Sequence, residues 1–123
     1  MKFSFELSEA NTVFISIEKI MYGAVLVRIT QHETDLLVSY TAMADGGDVC
    51  SESTNVYSNK AIAPIVQHIL DTEFPDSEHD EASYSWAIQI GDNENQLIAE
   101  RPPGYWESKS MLEKNLHRLT CRT

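Results

Sequence analysis

Forty consecutive residues of this 123-residue chain, positions 61–100, contain neither lysine nor arginine, while nine of them are acidic. Such a stretch repels nucleic-acid phosphate and attracts basic surfaces. Direct DNA or RNA binding is therefore disfavoured. Cysteine is almost missing too: Cys50 and Cys121 stand far apart and belong to no CxxC pair. Two thiols cannot build a disulfide framework or a zinc site by themselves. Two free thiols in a reducing cytosol are the simplest expectation, with one long-range disulfide as the alternative. Long apolar runs are absent. The longest nearly uncharged one is Ile20-Met21-Tyr22-Gly23-Ala24-Val25-Leu26-Val27, whereas a helical membrane span needs about 20 such residues. Glu6 and Glu9 would interrupt the apolar core of a signal peptide. A cytoplasmic protein with no membrane partner is expected. No P-loop, GxGxxG, GxSxG, HExxH or EF-hand pattern occurs.

What is present is enough apolar material for a core. Hydrophobic residues make up 42% and charged residues 23%, so the amount of charge is ordinary and its sign is not. Asp and Glu number 19 against 9 Lys and Arg, a formal charge of -10. Residues 1–60 hold 4 basic and 8 acidic groups, and residues 101–123 hold 5 basic and 2 acidic. The negative charge thus concentrates in the middle, around Asp71-Thr72-Glu73-Phe74-Pro75-Asp76-Ser77-Glu78-His79-Asp80-Glu81. A chain of this length is expected to form one domain, residues 1–123, burying roughly two-thirds of the surface it exposes when unfolded.

Periodicity supplies the elements. Phe3, Phe5 and Leu7 alternate with polar residues as in a half-buried strand. Residues 11–22 fit either a strand (Val13, Ile15, Ile17) or a helix (Val13, Ile17, Ile20, Met21), and their β-branched content favours the strand. Residues 24–30 and 36–42 form the clearest strand pair, joined by the polar 31–35 segment as a hairpin. Residues 44–59 are rich in Asp, Gly, Ser and Asn, which predicts a long loop. Ile62, Ile65, Val66, Ile69, Leu70 and Phe74 lay an apolar stripe along a helix over 62–74, with Pro64 tolerated in its first turn and Pro75 ending it. Tyr84, Trp86, Ile88 and Ile90 predict a strand, Gly91–Asn95 a turn and 96–100 the return. A last helix is expected over 107–119 on Leu112, Leu116 and Leu119. Hairpins plus two helices predict an α+β domain: a mainly antiparallel sheet of about five strands with both helices packed on one face.

Chemistry-bearing residues are few. His68 and Asp71 share a helix face. With Glu73 and His79 they could hold a metal ion, but Pro75 separates His68 from His79, and a solvated polar face followed by an acidic turn is the plainer account. Nucleophile candidates (Cys50, Ser51, Ser53) and bases (His32, His68, His79, His117) show no spacing that brings one to the other. Neither an enzyme nor a metal or other cofactor is expected. Trp86 belongs in the core by strand alternation. Tyr105 and Trp106, after a Pro-Pro-Gly turn, could anchor an interface, although capping the core is the more ordinary role for such residues.

Charge, size and the missing catalytic motif favour an acidic protein-binding module, most of all an inhibitor that neutralises a basic protein such as a nuclease toxin, as an immunity protein does. The expected contact residues are Asp71, Glu73, Asp76, Glu78, Asp80, Glu81, Asp92 and Glu94, with Tyr105 and Trp106. The alternatives are an accessory or homo-oligomeric structural protein and, less favoured, a small metal-dependent enzyme using His68, Asp71 and His79.

Overall fold

The computed structural model describes the chain except residues 1, 6–7, 59–60, 76–81, 92–97, 101–105 and 123; for 2–5, 8–10, 98–100 and 120–122 it describes the backbone only. The elements run β1 (Lys2–Phe5), β2 (Ser8–Ala10), β3 (Thr12–Lys19), β4 (Gly23–His32), β5 (Asp35–Ala44), β6 (Val49–Tyr57), α1 (Ile62–Glu73), β7 (Tyr84–Gly91), β8 (Ile98–Glu100), α2 (Lys109–Leu116) and β9 (Leu119–Arg122). The main sheet has six antiparallel strands in the order β6-β5-β4-β3-β7-β8, and a second sheet pairs β2-β1-β9. This is the expected α+β class.

Period-2 alternation builds the main sheet. Its inner face carries rows that cross from strand to strand: Ile90, Val13, Ile29 and Val38; Ile88, Ile15, Val27 and Tyr40; Trp86, Ile17, Val25 and Ala42. Except for partly buried Tyr40, these side chains are buried. The α1 stripe of Ile62, Ile65, Val66, Ile69 and Leu70 covers them, joined by Leu112 and Leu116 of α2. Burying one such side chain contributes about 1.5–3 kcal/mol, so this one-sided core is the main source of stability. The opposite face is open. There Phe14, Ser16, Leu26, Arg28, Ser39 and Thr41 line a shallow concavity of about 570 Å³, with the Arg28 guanidinium 5.5 Å over the Phe14 ring.

One ambiguity resolves and two expectations change. Within residues 11–22, Thr12–Lys19 form strand β3, as their β-branched content favoured, and 20–22 form a turn. The long loop expected over 44–59 is a turn followed by strand β6. The inner rows of the sheet continue onto β6 as Asn55, Ser53 and Ser51. These edge positions extend past the apolar rows, so the strand shows no hydrophobic alternation to read. The last helix spans Lys109–Leu116 instead of 107–119, and Leu119 begins β9, which pairs with β1. Leu119 is buried, so its apolar phase was real; the turn at His117 and Arg118 carries the chain from helix to strand.

Candidate functional site

One end of the main sheet gathers the unusual surface features. The β3–β4 hairpin closes with Lys19 opposite Gly23, leaving Ile20, Met21 and Tyr22 as its tip. The Tyr22 N–H donates to the Lys19 carbonyl at 3.0 Å. Met21, third residue of that turn, has φ of 68°, a left-handed conformation that favours glycine or asparagine. All three tip residues are exposed: Ile20 47%, Met21 82% and Tyr22 47%. Hairpin tips ordinarily carry Asn, Asp or Gly. An apolar, conformationally strained tip in water is thus doubly costly to folding, a signature associated with functional sites.

The tip is held from beneath. The Lys19 side chain is buried, donates to Ser83 Oγ at 3.1 Å, and sits 4.3 Å from the Tyr84 ring centroid and 5.2 Å from that of Tyr22. The rings thus supply the cation–π attraction. The Tyr22 ring meets Phe74 edge-on at 6.3 Å, and the Ile20 N–H donates to the Ser83 carbonyl at 2.9 Å. Phe74 and Ser83 lie on either side of the acidic 76–81 segment, so the described chain flanking that segment is fastened at this tip on both sides.

Neighbouring strands bring more acid. Gly23 pairs with Ala44, which places the β5–β6 turn, with exposed Asp45 and Asp48, at the same end of the sheet. Tyr84 pairs with Lys19 on one side and bridges Glu107 on the other. Trp106 therefore comes to this end as well, and it is 39% exposed. Glu107 accepts the Trp86 indole N–H at 2.8 Å and the Asn115 amide at 3.3 Å, fixing the segment that displays Trp106.

The expected contact residues divide. Asp71 and Glu73, two apart on α1, point roughly 200° apart. Asp71 pairs with Lys109 at 2.9 Å and accepts from Gln67 at 3.2 Å, while Glu73 accepts the Tyr40 hydroxyl at 3.4 Å. The hydrogen bond to Asp71 raises the Lys109 pKa, and burial, then the Glu73 charge, raises that of Tyr40. The structure does not bring these two carboxylates together. Asp76, Glu78, Asp80 and Glu81 lie outside the described residues, as do Asp92, Glu94 and Tyr105. Gly91, the described neighbour of Asp92, is at the other end of β7 from Tyr84. Trp106 is displayed on the surface, instead of capping the core.

The metal-ligand candidates give no described cluster: no three His, Cys, Asp or Glu side chains gather among the described residues. His68 is exposed, Asp71 is engaged by Lys109, and His79 is outside the described residues. Cys50 is an exposed free thiol. No helix among the described residues is long and apolar enough to cross a membrane. Sequence reasoning missed Ile20, Met21, Tyr22, Asp45 and Asp48. The available signal was three non-turn residues, Ile-Met-Tyr, directly before a glycine between two strand patterns. No protein-family model matches this chain, and no curated protein or solved structure matches it.

Proposed function

We propose that this chain is a cytoplasmic protein-binding module that acts by binding, not by catalysis, and neutralises a basic protein, with a nuclease toxin as the leading kind of target. One observation carries the reading: the exposed Ile20-Met21-Tyr22 tip stands among Asp45 and Asp48 and between the anchors of the acidic 76–81 segment. Apolar and aromatic anchors beside acidic residues suit a cationic surface that offers an apolar pocket. The acids steer the encounter, and the central anchors slow dissociation. Occupying a nuclease's basic surface would exclude its nucleic acid.

The test is charge reversal. With Asp76, Glu78 and Glu81 changed together to lysine, association with the basic partner is expected to slow by about tenfold or more at physiological salt, with a shallower salt dependence. Unchanged binding at that salt would sink the proposal.

A further inference from the structure

We infer that β6 pairs antiparallel with β6 of a second copy, about a two-fold axis at Ser53, joining two six-stranded sheets into one of twelve.

The edge itself is the first argument. β6 is nine residues long, Val49–Tyr57, and pairs with β5 on one side only. No described strand lies along its other side. Natural sheets guard such an edge with charge, proline, a bulge or a very short strand. β6 has no lysine and no proline, its single charge is Glu52, and its one register shift falls at Cys50, near its start. From Ser51 onward the edge is therefore open to pairing.

Its own sequence suits a second copy. The pairing of β6 with β5 shifts register between Val49 and Ser51, leaving Cys50 as a bulge, so the regular edge begins at Ser51. A two-fold at Ser53 pairs residues 51–55. Ser53 then faces Ser53, Glu52 faces Thr54, and Ser51 faces Asn55. No like charges stand directly opposite, and polar residues meet polar ones. Five pairs supply about four to six hydrogen bonds between main chains.

The body of the protein is acidic, so repulsion must be weighed. The antiparallel arrangement sets the two β5–β6 turns, with Asp45 and Asp48, at opposite ends of the pairing. That is about 30 Å apart at some 3.3 Å per residue, well beyond the screening length of about 8 Å at physiological salt. The closest like charges across the junction are the two Glu52 residues, diagonal neighbours on one face about 7–8 Å apart, followed by Asp48 of one copy and Asp35 of the other, roughly two strand spacings or 10 Å apart. Added salt should therefore tighten this contact, whereas it weakens binding to a basic partner. The pairing does not depend on the proposed function, and the two fail separately.

Cross-linking tests the register. Glu52 and Thr54 are exposed on the regular part of the strand, so cysteines there leave the core intact. In a Cys50→Ser, Cys121→Ser background, Glu52→Cys with Thr54→Cys puts each thiol opposite its counterpart in the second copy, within disulfide reach. Mild oxidation at about 100 µM, a concentration suited to an interface below the usual 1,200 Å² or so, is expected to give a covalent dimer. Either cysteine alone is expected to give almost none, because its like in the second copy is diagonal, about 7–8 Å away. No cross-link, or equal cross-linking by the single variants, would overturn the proposal. Light scattering on the unmodified chain reads the same contact without a variant. The expected mass rises from 13.9 kDa toward twice that between about 5 and 100 µM, more so at high salt; a mass that stays at 13.9 kDa throughout would overturn it as well.

Discussion

Gly23→Ala is expected to remove about 3 kcal/mol or more of folding stability, more than the same change at Gly46 or Gly47. Two causes act together. Gly23 has φ of 138°, where a side chain is strained whatever the space, and a Cβ there would run into the Met43 carbonyl oxygen and crowd Ala44. The obstacle is the backbone of the paired strand β5, which cannot swing aside as a flexible side chain would. The position also closes the β3–β4 hairpin, so the same change disturbs the tip. Gly46→Ala is the internal control. Nothing lies within 4 Å of a Cβ added there, leaving a backbone cost of about 1 kcal/mol. Urea unfolding of both variants checks the difference. Equal losses would mean that the close approach of β4 to β5 at Gly23 is not what the structure describes.

The second large effect separates folding from binding. Met21→Gly is expected to leave the protein as stable as before, or more stable by up to about 1 kcal/mol, because a left-handed residue other than glycine costs about 1–2 kcal/mol and glycine adds about 0.5–1 kcal/mol of backbone entropy. Met21 is 82% exposed, so the core loses nothing. Binding to a basic partner is expected to weaken by about 30-fold, the loss of one anchor worth about 2 kcal/mol. Unfolding curves and a titration against the partner, on one preparation, give both numbers. A residue that is costly to folding and needed for binding is what a stability–function trade-off predicts. A destabilised variant that binds normally would reverse the assignment.

How much of this was legible in the chain differs between its parts. Strands β3, β4, β5 and β7 have apolar residues on one face and mostly polar ones on the other, because a single face is covered; helix α1 has an unbroken stripe because it supplies the cover. These are strong periodic signals, and they gave the α+β class and the side on which both helices pack. β6 was lost because its inner positions, Ser51, Ser53 and Asn55, continue rows that are apolar on the strands before it. Its Ser, Thr and Asn content then resembled the real turn at Asp45–Asp48. β9 was absorbed into the preceding helix because Leu119 is in phase with Leu112 and Leu116. The site followed the same logic. Net charge pointed to the acids, and Trp106 stood out by type. Nothing local shows that Tyr22, Phe74, Ser83 and Asp45, up to 61 positions apart in number, come to one end of the sheet. Strand register and the packing of α1 do that, and the helical repeat separates Asp71 from Glu73, near neighbours in the sequence that face different partners.

The most direct test of the central claim is capture of the partner from the native source on immobilised protein, at low salt and again at high salt, beside the Met21→Gly variant. The account predicts one predominant basic protein, held at low salt, released by high salt, and retained poorly by the variant. Recovery of no basic protein in either condition, or equal retention by both forms of the protein, would contradict it.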